Sequence, residues 1–198
     1  MTRCLVWVTV ASVVLAGVAS ASVKQGDTEL DLLAGFTAQN GAKNSPDFSA
    51  WFASGALGYF LTDNLQVQAA VMAALTSTEM PASAGDVDVN LWALGGRAKW
   101  HFMPTNQLVP YVGAQLLWVN ADVDGLDGAM STVLGVTVTG NDGSSDGSLW
   151  GPLVGARYEL NENNDAYVEY QYQVWEGDIA HVLDDGHSIF VGIIHQFK

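Results

Sequence analysis

From Glu29 to Phe197 the chain runs in segments of about ten residues, in which apolar side chains alternate with polar or very small ones. The segments are joined alternately by short and long connections. The short ones are Leu61-Thr62-Asp63-Asn64, Met103-Pro104-Thr105-Asn106-Gln107 and Asn161-Glu162-Asn163-Asn164-Asp165, whereas the stretches near Asn40, Thr78, Asp127 and Asp184 are longer and less regular. A period of two means strands, and tight turns on one side with long loops on the other predict an all-β, antiparallel, up-and-down barrel that crosses a membrane. Eight strands are expected near 28–38, 48–60, 65–76, 87–102, 108–121, 148–160, 166–176 and 187–197. An even number of strands puts both chain ends on the tight-turn side, which for an exported barrel is the periplasm.

The first residues predict how such a chain reaches a membrane. Arg3 precedes an apolar run from Leu5 to Val18, and Ala19-Ser20-Ala21 is a small-residue cleavage site, so residues 1–21 read as a signal peptide and 22–198 as one barrel domain. The single cysteine, Cys4, opens the apolar run rather than closing it, which argues against a lipoprotein. Without residues 1–21 the chain has 6 basic against 21 acidic residues, a net charge of −15, which excludes nucleic acid as a partner.

Parity separates two faces. Trp92, Leu94, Gly96, Ala98, Trp100 and Phe102 share one face of the fourth strand, and Leu91, Ala93, Gly95, Arg97, Lys99 and His101 the other. The later strands divide in the same way, while the second, rich in Ala and Gly, gives no assignment. The polar face carries few charges and many Gly, Ala and Gln, as a narrow packed lumen requires and a solvated surface does not. Aromatic residues gather at strand ends: Trp92, Trp118 and Trp150 toward the loops, and Trp100, Phe102, Tyr158 and Phe197 toward the turns, as two interfacial girdles. The ten steps from Trp92 to Phe102, at about 3.3 Å each and a tilt near 40°, span roughly 25 Å of membrane.

Inward charges require partners. If Leu160 pairs with Ala166 across the third turn, Arg157 falls opposite Glu169 as a cross-strand ion pair. Arg97 and Lys99 then draw on Asp31, Glu159 and Glu169, and the resulting cluster plugs the lumen.

These residues resemble the small eight-stranded outer-membrane barrels of the OmpA/OmpX/OmpW type, the outer membrane protein β-barrel domains. The likeness rests on Gly58-Tyr59-Phe60-Leu61-Thr62-Asp63-Asn64-Leu65, Pro110-Tyr111-Val112-Gly113-Ala114 and Gly155-Ala156-Arg157-Tyr158-Glu159-Leu160. It also rests on the last strand, Ile189-Phe190-Val191-Gly192-Ile193-Ile194-His195-Gln196-Phe197. The resemblance implies the outer membrane of a Gram-negative bacterium, and contact with its lipids and lipopolysaccharide. It also implies delivery by periplasmic chaperones to the barrel assembly machinery, with Gly192 and Phe197 as part of the signal that the machinery reads. Two features depart from the family pattern: Lys198 follows the final aromatic, and His195 stands where an earlier aromatic is usual.

Enzymatic chemistry is not expected. His187 and Ser188, the nearest base and nucleophile, are adjacent on a strand and project to opposite faces. The acidic stretches 122–128 and 141–146 offer closely spaced oxygen ligands, but they lack the helices and closing glutamate of an EF-hand, so solvated loops are expected rather than a metal site, and no cofactor. Two functional classes remain: a structural or surface-interaction protein presenting its loops, and a narrow channel for ions or small solutes. The side chains expected in the lumen favour the first, because an eight-stranded barrel has room for little else. The β-branched stretch from Met130 to Thr139 reads either as a hairpin that extends the barrel wall beyond the membrane or as a mobile loop.

Overall fold

The computed structural model describes residues 23–41, 48–79, 86–124, 131–133, 136–138, 142–181 and 183–197. The expected signal peptide with Cys4, and the acidic stretch around Asp127, lie outside the described residues. The strands in chain order are β1 (Thr28–Gly41), β2 (Phe48–Phe60), β3 (Leu65–Glu79), β4 (Asp86–His101), β5 (Leu108–Asp124), β6 (Ser131–Val133), β7 (Val136–Val138), β8 (Asp142–Asn161), β9 (Asn164–Gly177) and β10 (Leu183–Phe197). Eight of them close into one barrel in the order β1-β10-β9-β8-β5-β4-β3-β2, every neighbour antiparallel. The seam joins the two ends of the chain, with Thr28 opposite Phe197.

The strands are longer on the loop side than the alternation alone suggests. β3 reaches Glu79, β5 reaches Asp124, and β8 begins at Asp142, because the backbone ladder continues past the point where one face must be apolar. The hairpin forms as β6 and β7, with Ser131 opposite Val138, and it is a separate two-stranded sheet rather than an addition to the barrel ladder.

The faces sort as their residue types require. Outside, Leu116 is 63% and Val191 61% exposed, whereas inside Lys99 and Arg157 are 1% and Glu169 0% exposed. Charge enclosed and apolar surface outward is the inverse of a water-soluble barrel and the arrangement of one surrounded by lipid. β2 also resolves: Trp51, Ala53, Leu57 and Tyr59 face out, and Phe52, Ser54, Ala56 and Phe60 face in.

The two ends of the barrel differ. At the turn side the N-terminal segment folds across the base, the Val23 amide donating to the Pro104 carbonyl (3.3 Å) and the Gln25 amide to Asp63 Oδ1 (2.9 Å). At the loop side Gly177, at φ +90°, lets the chain turn sharply beside Gly147. The one-turn 3-10 helix Asp178–His181 follows and places Ile179 inside the mouth.

Candidate functional site: the filled lumen

The interior is built in layers. Nearest the turns, Arg157 is gripped on both sides. Its Nη2 lies 2.6 Å and its Nη1 3.0 Å from the two oxygens of Glu29, and its Nε donates to Asp165 Oδ2 at 2.6 Å. Gln66 donates to the same Glu29 (2.7 Å), and the His101 ring, 3.2 Å from Gln66 Oε1, lies between the Phe60 and Tyr111 rings. A guanidinium held by two carboxylates, one of them through both of its oxygens, is the strongest pairing available to buried charge.

One layer up, Lys99 lies 2.9 Å from Glu169 Oε2 and 3.6 Å from Asp31 Oδ2, over the face of the Tyr111 ring. The Tyr111 hydroxyl donates to Glu169 (2.9 Å), Gln68 donates to Asp31 (2.6 Å), and Arg97 reaches Ser54 Oγ (3.3 Å) and lies 4.0 Å from Glu169. From Glu169 a hydrogen-bonded ladder climbs the β9–β10 wall, through Gln171 and Gln173 to Ser188 and Thr37, in steps of 2.6 to 3.1 Å.

The rest of the upper lumen is apolar. Phe52, Met72, Leu117, Val119, Leu149 and Trp175 fill it, and Ile179 packs beneath the mouth. The lumen therefore has a charged lower half and an upper half that is apolar apart from the ladder on the β9–β10 wall.

Expectation and geometry differ at one ion pair. Arg157 does not meet Glu169: it pairs with Glu29 and Asp165, while Glu169 pairs with Lys99 and Arg97. The third turn is tighter than the sequence suggests, with Asn161 opposite Asn164 across Glu162-Asn163 and a bulge after Glu159. Tyr158 rather than Leu160 therefore faces Ala166, and Arg157 faces Tyr167. A slip of two residues keeps every side chain on its face and changes only its partner. Asp31 sits against Lys99 and Gln68, and Glu159 is buried opposite Asp165.

Glu29 and Asp165 were not among the expected network, although the same parity rule reaches both. Glu29 shares the inward face of Asp31, and Asp165 that of Tyr167.

On the outside, Trp92, Trp118 and Trp150 stand exposed toward the loops, the first two in edge-on contact at 4.9 Å. Trp100, Phe102, Tyr158 and Phe197 lie toward the turns. Trp51, 71% exposed and edge-on to Phe36, belongs to the loop-side set and was hidden by the small residues around it. In β10, Gly192 packs against the Leu32 carbonyl and the Tyr167 ring, and Phe197 faces outward with the His195 ring edge-on to it. His187 and Ser188 do point apart: Ser188 is buried with Thr37, and His187 lies outside, bonded to the Tyr170 hydroxyl (2.6 Å). Among the described residues no group of three or more His, Cys, Asp or Glu side chains is placed to hold a metal ion.

Residues 9–197 match the family model described as outer membrane protein beta-barrel domain. Among solved structures, Neisserial surface protein A superposes with a TM-score of 0.65 at 19% identity, over 87% of this chain and 100% of that one. The N-terminal β-barrel domain of Pseudomonas aeruginosa OprF gives 0.54 at 20% identity, over 87% and 98%. Ail, the attachment invasion locus protein of Yersinia pestis, gives 0.55 at 11% identity, over 87% and 99%, and was also solved with the heparin analogue sucrose octasulfate. No curated protein matches the sequence.

Proposed function

Because the chain belongs to the outer membrane protein beta-barrel domain family, we propose that it is a sealed outer-membrane barrel acting through the surface its loops present, in a structural or surface-contact role. The observation that carries this reading is the filled lumen. A charge cluster closes the lower half, and Ile179 and Trp175 with their apolar neighbours close the upper, so the loop end is the part left to do work.

The loop end has a distinct chemistry. Among the described residues, Lys99, Arg97 and Arg157 are inside the barrel and Lys24 is at the turn side. The strand ends and loops at that side hold most of the acids, including Asp86, Asp88, Asp122, Asp124, Asp142, Asp146, Asp184 and Asp185. Such a surface favours cationic partners or divalent ions bridging to lipopolysaccharide phosphates, and repels polyanions. The heparin analogue bound by Ail is a ligand that this surface would reject. The long loops then face outside the cell and the chain ends face the periplasm, where chaperones and the barrel assembly machinery receive the unfolded chain. Recognition by that machinery falls to β10, with Gly192 and Phe197. The reading is non-enzymatic, and in support of it His187 and Ser188, the nearest base and nucleophile, lie on opposite faces of β10.

Planar-bilayer recording of the refolded protein is the test. A flat trace is the expected result. The second reading, a narrow channel, has one observation behind it, the polar ladder from Glu169 to Thr37. Steady unitary conductance that Glu169→Leu alters would establish the channel and remove the sealed reading. Orientation is tested separately by placing a cysteine at the exposed Ser144 and labelling intact cells, where reaction with an impermeant maleimide is expected.

A further inference from the structure

The segment Asp88-Val89-Asn90-Leu91-Trp92 returns in reverse order on the next strand as Trp118-Val119-Asn120-Ala121-Asp122. Because β4 and β5 are antiparallel, the two copies run the same way up the barrel wall. β8 carries a third version, with Trp150, Ser148 and Asp146 at the same two-residue steps.

Cross-strand pairing aligns the three. Trp92 stands opposite Asn120 and Trp118 opposite Ser148, so each copy is set two residues along from its neighbour. The tryptophans form one diagonal across the sheet, Asn90, Asn120 and Ser148 the next, and Asp88, Asp122 and Asp146 a third. Leu91, Val119 and Leu149, which alternate with them, are buried, so the array faces outward. Trp92, Trp118, Trp150, Asn90 and Asp146 are exposed, and Asn120, Asp122 and Ser148 half-buried. The tryptophans belong to the loop-side girdle, and the other two diagonals rise above it on strands of 16, 17 and 20 residues, where β9, β1 and β2 have only 14, 14 and 13.

We infer that this face docks a cationic amphipathic helix of another polypeptide, its apolar side set on the tryptophans and its lysines or arginines against Asp122 and Asp146. The inference rests on the surface-contact reading above, to which it gives a place and a partner chemistry.

Charge selects the occupant. A second copy offers no match, because among the described residues its cations lie inside the barrel or, as Lys24, at the turn side. A divalent ion would use the aspartates and leave the tryptophans without a role, and a neutral sugar would do the reverse. A helix apolar along one side and cationic along the other engages all three diagonals, by burial and cation–π contact, by hydrogen bonds to the amides, and by charge pairing.

Size agrees. Four residues separate tryptophan from aspartate on each strand, which at about 3.3 Å each and a tilt near 40° is roughly 10 Å of height, one helix diameter. Such a helix lies in the plane of the interface, the depth that cationic amphipathic helices take, and so meets the girdle side-on.

The experiment uses the refolded barrel in phosphatidylcholine nanodiscs, which leave both its ends accessible, and a fluorescent synthetic helix of leucine and lysine. Anisotropy measured against empty nanodiscs reads the binding that the barrel adds. Saturable binding of one peptide per barrel, weakened by salt, is expected. Asp122→Asn combined with Asp146→Asn should weaken it roughly tenfold, and so should Trp92→Leu combined with Trp118→Leu. Heat-dependent gel mobility verifies that both variants are barrels. Asp184→Asn, on β10 and outside the array, should bind as the parent does, and a leucine and glutamine helix should gain nothing from the barrel. Binding that the barrel does not add, or that either pair of substitutions leaves unchanged, overturns the proposal. So does loss with the aspartate pair alone together with displacement by calcium, since the occupant is then a divalent ion. A cross-linked dimer that the same substitutions abolish overturns it in favour of a second copy. Steady conductance in the bilayer recording removes the sealed reading while leaving the nanodisc result to stand, whereas a flat trace without helix binding removes the docking face alone.

Discussion

At the residue scale, the lumen depends on how its charges are shared. Glu169 serves two cations and a tyrosine hydroxyl, and its burial is complete. Glu169→Leu leaves Lys99 with Asp31 at 3.6 Å and strips Arg97 of its carboxylate, so a loss of about 3–5 kcal/mol is expected from leaving buried charge uncompensated. Urea unfolding from lipid vesicles, followed by tryptophan fluorescence, checks it. Arg157→Met should cost a similar amount, about 3–5 kcal/mol, because it abandons Glu29 and Asp165 together. Adding Glu29→Gln and Asp165→Asn should recover part of that loss, since carboxylates without a cation are the costly remainder. Parity made the inward face of these residues legible in the sequence, because alternation fixes which side of a strand a residue occupies. The partners were not legible: they depend on a pairing register two residues away from the one the Asn- and Asp-rich turn suggests, and on contacts such as Glu29 with Arg157 that cross the lumen between strands far apart in the chain.

At the scale of the element, close packing between strands falls on the inward glycines. A Cβ on Gly95 would sit 2.2 Å from the Leu116 carbonyl oxygen, whereas one on its neighbour Gly96 clears its surroundings. Gly95→Val is therefore expected to yield no heat-modifiable barrel on refolding, while Gly96→Val, which adds apolar surface toward lipid, folds as the parent does; paired gels with and without boiling decide between them. The eight barrel strands were legible as elements because the membrane imposes alternation over their central residues. Their loop-side ends were not, since above the membrane both faces meet water and the pattern fades while the ladder from β5 to β8 continues to Asp124 opposite Asp142. β2 failed for a different reason: Ala and Gly suit either face, and only pairing with β1 and β3 decides between them.

At the scale of the whole molecule, charge and shape are both polarised along the barrel axis. Among the described residues the cations lie inside and at the turn side, and acids collect at the loop-side strand ends, so any contact made at the loop end is expected to weaken with added salt when the partner is cationic. Fold and membrane were readable early because they rest on periodicity repeated eight times, whereas the partner rests on loop side chains that no periodicity governs. The seam has a further consequence. Thr28 lies against Phe197, and this antiparallel pair alone among the barrel neighbours is formed by strands that do not follow one another along the barrel's chain path. A short linker from Phe197 to Gly26, with new ends cut at Asn106 in the second turn, would leave the circle of strands unbroken. Topologically the molecule is a ring that happens to have been opened at one place, and a circular permutant opened elsewhere should close on itself equally well.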